Sequence, residues 1–278
     1  MYKVLAQNWI DHEYPRHLFV EICAQCNLAC SFCPREDQRG DMPWEMFTAI
    51  IDEATQYGPR TFSLHIFNEP MLYKRWPDAI RYIHSKHRGH RVLFTTNGTA
   101  INARVDDLIS ANPDQVFWSW RPEAKFTPET KEELRKWGRF RVRFIQEVTP
   151  ESAYEEWRDW PNTEGRKLHS YGGGNIDLSA FTSAPADTST GSLTPRACYH
   201  PWLAPAVAWN GNILLCCADP KQEEVLGHFP DQSVAEVWQG EKIKEIREGQ
   251  LRGEFKGICK GCTIPLQYPD MFFKWQKR

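Results

Sequence analysis

The sequence predicts an α/β fold of parallel β/α units followed by a small α+β module, and three observations carry that reading. Strand-like and helix-like segments alternate through the first two thirds, with successive strands after the first about 25–30 residues apart, the span of one β/α unit. Gly172-Gly173-Gly174 and the Ser/Thr/Ala/Pro-rich stretch from Ser179 to Pro195 read as a linker. Beyond it the pattern changes to a tight hairpin and short helices. The boundaries expected are a β/α domain over residues 1–171, a linker over 172–195 and a second module over 196–278. Six units or fewer cannot complete an eight-fold barrel, so the first domain is an open sheet or a partial barrel.

The elements follow in order. His17–Ile22 is short, apolar and β-branched, a first strand. Asp41 as cap and Pro43 in the first turn open a helix that carries Trp44, Phe47, Ile51 and Ala54 at helical spacing until Gly58-Pro59. Thr61–Phe67 is the second strand, Tyr73–His87 a helix and Arg91–Thr95 the third strand. Val105–Ala111 reads as helix and Gln115–Ser119 as the fourth strand. Thr127 with Pro128 starts a helix to Trp137, Arg139–Gln146 makes the fifth strand and Glu151–Trp160 another helix. A sixth strand is placed near Lys167–Ser170. After the linker, Ala204–Trp209 and Asn212–Cys216 flank Asn210-Gly211, a type I′ turn signal, and helices cover Val234–Trp238 and Lys242–Leu251.

Charge and cysteine content narrow the function. The 278 residues carry 34 Lys plus Arg against 36 Asp plus Glu, a net charge of −2 that argues against an electrostatic nucleic-acid binder. No apolar run reaches the roughly 18–20 residues of a membrane span, and the N-terminus lacks a secretory apolar stretch, so a cytoplasmic protein is expected. Nine cysteines there do not suit a disulfide framework. They divide into Cys23, Cys26, Cys30 and Cys33, then Cys198, Cys216, Cys217, Cys259 and Cys262, which reads as two soft-metal sites.

Cys26-x3-Cys30-x2-Cys33 directly follows the first strand. Three thiolates in one short loop can hold three irons of a [4Fe–4S] cube and leave the fourth open. With Asn27-Leu28 inside it and the aromatic Phe32 before its last Cys, this segment resembles the hallmark of the radical S-adenosylmethionine (SAM) superfamily. The resemblance implies a partial (β/α)6 barrel and an open iron that binds SAM. It also implies an electron donor such as flavodoxin or ferredoxin. Asn68-Glu69-Pro70 after the second strand resembles the family's Gly-Gly-Glu-Pro segment, with Phe67 and Asn68 in place of the glycines. Thr95-Thr96-Asn97-Gly98 resembles a second SAM-proximal segment. The expected SAM contacts are therefore Phe32, Asn68, Glu69 and Asn97, with Ser119 and Arg143 as further candidates for its carboxylate or ribose.

Cys198, Cys216, Cys259 and Cys262 lie amid Cys198-Tyr-His-Pro-Trp202 and Trp209-Asn-Gly-Asn-Ile-Leu-Leu-Cys216. This region resembles the C-terminal auxiliary-cluster domains of radical SAM enzymes, SPASM with two clusters and Twitch with one. Four ligands fit one complete [4Fe–4S] cluster, the Twitch arrangement, making two such clusters in the chain. Cys217 would point away from Cys216 if the strand continues. Cys23 reads as a small buried residue ending the first strand. The resemblance implies hydrogen abstraction from a small molecule by a 5′-deoxyadenosyl radical. The favoured reaction is two-electron oxidation of a secondary alcohol of sugar or aminocyclitol type, with the auxiliary cluster accepting an electron. Radical epimerisation, with Cys217 or Cys23 returning hydrogen, and peptide maturation are the alternatives. Only about 16 residues precede the first strand, which disfavours the peptide reading. A two-site zinc scaffold is the reading from a different class. Asp219, His200 and Glu147 are available polar groups without an assigned role.

Overall fold

The computed structural model of the chain describes residues 13–36, 40–166, 168 and 198–262. Its first part alternates β1 (His17–Val20), α1 (Trp44–Thr55), β2 (Thr61–Ser63), α2 (Trp76–Lys86), β3 (Arg91–Thr96), α3 (Ile101–Ala111), β4 (Gln115–Ser119), α4 (Pro128–Trp137), β5 (Phe140–Ile145), α5 (Glu151–Glu156) and β6 (Thr163–Arg166). Its second part holds α6 (His200–Leu203), β7 (Ala206–Val207), β8 (Asn212–Leu214), β9 (Val225–His228), α7 (Val234–Gln239) and α8 (Glu241–Leu251). The expected linker over 172–195 lies outside the described residues.

Strands β1 to β6 are all parallel, as the β/α alternation requires. Their alternate residues Leu18, Val20, Phe62, Val92, Phe94, Val116, Trp118 and Val142 form one core with Phe47 and Ile50 of α1, Ile80 and Ile83 of α2 and Leu108 of α3. The second part does not stand apart from this sheet. β7 pairs in parallel with β1 (Phe19 opposite Ala206), so one nine-stranded sheet runs β6-β5-β4-β3-β2-β1-β7-β8-β9. Glu53 of α1 adds a second tie: its carboxylate accepts the Val234 and Ala235 N–H groups (3.2 and 2.8 Å) at the start of α7. Ser233 and Glu236 complete a capping box at the same helix end.

Four local expectations are corrected. Asp41 does not cap α1; it bridges to Cys23 and accepts from Gln25 Nε2 (2.9 Å), and Pro43 occupies the cap position. The sixth strand lies at Thr163–Arg166, before the predicted 167–170 segment. Its Thr-Glu-Gly-Arg sequence has no apolar signature, because pairing of Glu164 with Arg143 across the ladder holds it. The turn at Asn210-Gly211 is not type I′. Gly211 N–H bonds to Ala208 O and only Gly211 of the pair has positive φ (+92°), giving a three-residue loop with glycine in the left-handed region. A Cβ there would meet Phe229 O at 2.4 Å. The strand β8 stops at Leu214, short of Cys216, and β9 pairs with it in antiparallel register, an element with no counterpart in the sequence reading.

Candidate functional site

The Cys26–Cys33 loop leaves the carboxyl end of β1, where parallel sheets place their ligands. Cys26, Cys30 and Cys33 are all half-buried, and Cys33 N–H bonds to Cys30 O. Burial pushes the Cys33 thiol up, and Cys30 and Cys26 stand close enough to push it further. Cys23 differs in kind. It is fully buried in the core, donates to Glu69 O (3.6 Å) and accepts from Asn68 Nδ2 (3.5 Å), and burial raises its pKa to about 11.

Asn97 ties this loop to the end of β3. Its amide nitrogen reaches Asn27 Oδ1 (2.8 Å) and Cys26 Sγ (3.8 Å), its Oδ1 accepts from Thr99, and its carbonyl accepts from Trp118 Nε1 (3.0 Å). The Trp118 ring passes so close to Gly98 that a Cβ there would sit 2.4 Å from Nε1. Glu69 completes the tie from β2. Its carboxylate accepts from Met71 N (3.1 Å), Thr96 Oγ1 (2.8 Å) and Asn97 N (2.6 Å), and its own N–H bonds to Gln25 O (2.7 Å). Burial raises Glu69 from 4.5 to about 7 against the pull of these donors. Glu69 therefore spends its side chain on joining the β2 and β3 ends, while its backbone N–H holds the loop after β1. Asn68 likewise turns its amide toward Cys23 and accepts from Ile66 N. Phe32 lies under the Arg121 guanidinium, 4.7 Å from the ring centre.

Residues alternating with the core form a polar row on the other face of the sheet. His17 Nε2 meets Ser63 Oγ at 2.8 Å, and the Phe19 ring stands edge-on to His65. The Thr95 N–H donates to His65 Nδ1, so the ring proton is on Nε2, which faces Thr95 Oγ1 (3.2 Å). Arg143 donates to the same hydroxyl and to Glu164 Oε1 (3.2 and 2.5 Å), while its guanidinium covers Phe117. Arg166 shares Glu164. Burial lowers His65 to about 3, with Arg143 adding to it, so this histidine is neutral at ordinary pH. Burial would raise Glu164, but Arg143 and Arg166 outweigh it and hold the carboxyl low. Ser119, paired in register with Arg143, is buried at the β4 end. The sequence reading found Ser119 and Arg143 but missed His17, His65, Glu164 and Arg166. The period-two alternation of Arg141 and Arg143 with apolar neighbours was the available signal, since it puts charges on the face away from the helices.

Between the first cysteine loop and the β7–β8 hairpin lies a small cleft, lined among others by Glu21, Arg35, Phe67, Leu214, Asp219 and Gln222. Glu21 is buried there, accepts from Trp209 N (3.4 Å) and is raised by burial to about 7. Asp219 uses both carboxylate oxygens on the Glu223 and Glu224 N–H groups, and Glu147 accepts from Leu168 N, so both carboxylates act in local structure. His200 is buried and stacked on Tyr199.

The second cysteine group converges. Cys198 and Cys216 are buried in a small cluster with Leu215, Trp238 and Ile258, and Cys259 and Cys262 pack against it. Cys217 packs against a different small cluster, Ala206, Ala208 and Leu214, yet stays close enough to Cys198, Cys216 and Cys262 to interact with them electrostatically. Burial pushes the Cys198 and Cys216 thiols well up, a cost that positive metal ions would offset by holding them as thiolates. Four soft donors from three segments in one apolar pocket fit a complete iron–sulfur site, and three in a half-exposed loop fit an open one. Among the described residues no three metal-binding side chains are gathered as tightly as a bound ion would draw them.

Comparison with known proteins agrees with this division. Residues 20–119 match the radical SAM superfamily, and residues 198–263 match the SPASM iron–sulfur cluster-binding domain. A tungsten-containing aldehyde ferredoxin oxidoreductase cofactor-modifying protein of Pyrococcus furiosus is 31% identical over 110 residues, 37% of this chain and 30% of that protein. The S-adenosyl-L-methionine-dependent 2-deoxy-scyllo-inosamine dehydrogenase of Niallia circulans is 21% identical over 255 residues, 88% of this chain and 91% of the dehydrogenase. Among solved structures, BtrN in complex with AdoMet and 2-DOIA superimposes with a TM-score of 0.65 at 18% identity, covering 89% of this chain and 92% of BtrN. SuiB of Streptococcus suis bound to its precursor peptide SuiA gives 0.64 at 14% identity, covering 88% and 69%.

Proposed function

The chain is a radical SAM protein with a C-terminal SPASM-type iron–sulfur domain, and from that premise we propose that it oxidises a secondary alcohol of a small sugar- or aminocyclitol-like molecule by two electrons. Cys26, Cys30 and Cys33 would hold an open [4Fe–4S] cluster that with SAM would supply a 5′-deoxyadenosyl radical, and Cys198, Cys216, Cys259 and Cys262 would hold a complete cluster able to accept the second electron. The observation that carries the reading is the convergence of all four auxiliary cysteines on one apolar pocket. A filled ligand set suits that pocket to electron transfer rather than substrate binding. The likeness to a 2-deoxy-scyllo-inosamine dehydrogenase along nearly its whole length supports the substrate class.

Asn97 and Glu69 hold the first cysteine loop against the β2 and β3 ends, which orients the SAM side of the site. The His65–Thr95–Arg143–Glu164 row offers fixed donors and acceptors to a polyhydroxylated ligand, Ser119 among its neighbours. Phe32 and Asn68 stay in the same set of proposed SAM-side residues, Asn68 through its backbone because its amide is engaged. A small reducing protein such as flavodoxin or ferredoxin would supply the first electron, in the cytoplasm. No helix among the described residues is long and apolar enough to cross a membrane.

The test uses anaerobically prepared, cluster-loaded protein, SAM, a reductant and an aminocyclitol deuterated at the carbinol carbon. The reading expects a ketone, with deuterium in 5′-deoxyadenosine. Intact clusters that cleave SAM with every such alcohol yet yield neither ketone nor labelled nucleoside would refute it. A second reading, epimerisation, is favoured by one observation: Cys217 packs against Ala206, Ala208 and Leu214, the small cluster that Phe19 and Ile66 also pack against. Solvent deuterium in a recovered, inverted alcohol would support that reading instead.

A further inference from the structure

Gln250 and Arg247 lie three residues apart on α8, on one helix face, beside the auxiliary cysteine pocket. Gln250 is 2% exposed and bridges two of the four cysteines. The Cys198 N–H donates to its Oε1 (2.9 Å), which leaves the amide nitrogen facing Cys259 Sγ at 3.5 Å. The backbone donor thus sets the amide's orientation, and an N–H is presented to the sulfur.

Arg247 is also buried, at 7% exposure. Its guanidinium donates to Pro201 O (2.8 Å) and Trp238 O (3.1 Å) and lies 4.1 Å from the centre of the Trp238 ring, itself part of the cysteine pocket. No carboxylate pairs with it among the described residues, and one guanidinium nitrogen has no hydrogen-bond partner there. Burial lowers its pKa only to about 10, so the charge persists at ordinary pH. Two carbonyl oxygens and the Trp238 ring thus fix a buried cation that no carboxylate neutralises among the described residues.

We propose that Gln250 and Arg247 set the auxiliary cluster to accept an electron. The reduced cluster carries one more negative charge than the oxidised one. A fixed cation behind Trp238 and an N–H directed at a ligand sulfur both stabilise that added charge, which raises the reduction potential. The electron comes from the deprotonated substrate radical, which becomes a ketone, and the cluster is reduced by one electron. The inference rests on the dehydrogenase reading and gives the second domain its direction: an acceptor rather than a donor.

The test is a potentiometric titration followed by electron paramagnetic resonance in the full, cluster-loaded chain. The auxiliary signal is the one that SAM leaves unchanged. Arg247→Met and Gln250→Leu should each shift its midpoint to more negative potential. Arg247→Lys keeps the charge and should lie nearer wild type than Arg247→Met, a difference that a purely structural role would not produce. Gln250→Glu keeps the acceptor for Cys198 N–H but turns a carboxylate oxygen toward Cys259, and should shift the midpoint further down than Gln250→Leu. Unchanged midpoints in variants that retain full iron would overturn the inference. If Arg247→Met loses iron, the Gln250→Glu comparison decides. Ketone formation with unmoved potentials sinks this inference alone, whereas absent ketone with moved potentials sinks the dehydrogenase reading alone.

Discussion

Glu69→Gln isolates one buried carboxylate that links the β2 and β3 ends beside the cysteine loop. In the wild-type chain its two oxygens satisfy Met71 N, Thr96 Oγ1 and Asn97 N at 1% exposure. Replacement by the amide turns an NH2 toward one of those donors, leaving one or two buried groups unsatisfied at about 1–3 kcal/mol each. The titration adds a pH signature. Glu69 binds its proton with a pKa of about 7 in the folded chain against 4.5 when unfolded. The folded state therefore holds more protons between those values, and Glu69 contributes stability that is present at low pH and lost as pH rises through about 7. Between pH 5 and pH 8 that loss amounts to about 2–3 kcal/mol. The amide does not titrate. Wild type should thus exceed Glu69→Gln in melting temperature most at pH 5, and the gap should shrink by roughly 5–10 °C at pH 8, at about 2–4 °C per kcal/mol. The assay is anaerobic thermal unfolding of cluster-loaded protein, followed by tryptophan fluorescence across that range. A gap that stays constant with pH, or widens toward pH 8, would refute the assignment of Glu69 as a buried, titrating latch.

Three further outcomes follow from the site. Cys198→Ala should reduce iron from about eight to about four atoms per chain; such a variant still forms 5′-deoxyadenosine but makes no ketone, measured by iron assay and product chromatography. Asn97→Ala removes the contacts to Asn27 and Cys26, and should weaken SAM binding roughly tenfold, about 1.4 kcal/mol, by equilibrium titration; affinity equal to wild type would contradict its positioning role. Cys217→Ala separates the two reactions: a dehydrogenase keeps its turnover, while an epimerase dependent on that thiol loses it.

Much of this site was legible in the sequence, for reasons particular residues make plain. Cys26, Cys30 and Cys33, the proposed ligands of the first cluster, fall within eight consecutive residues, so the local chain already dictates their spacing. Thr127 shows the same locality: it was read as the start of a helix and does accept from Thr130 N in the cap of α4. Asp41 failed as a cap because a partner 16 residues away, Gln25, claims its carboxylate. Glu69 was found for its motif, yet its side chain serves Thr96 and Asn97, 27 and 28 residues on. The strand β6 was misplaced because an ion pair rather than apolar alternation holds it.

Sequence alone therefore determined the β/α order, the two cysteine groups and the family they mark, since each is read from spacing and pattern along the chain. Only the tertiary structure decided that β7 continues the sheet from β1 and that Cys217 packs against Ala206, Ala208 and Leu214. It likewise decided that His65, Thr95, Arg143 and Glu164 form one polar row, and that a buried arginine stands behind Trp238. These facts depend on strand register and helix docking between segments tens to nearly two hundred residues apart. Local periodicity specifies which face a residue occupies, and packing between distant elements specifies what it meets there.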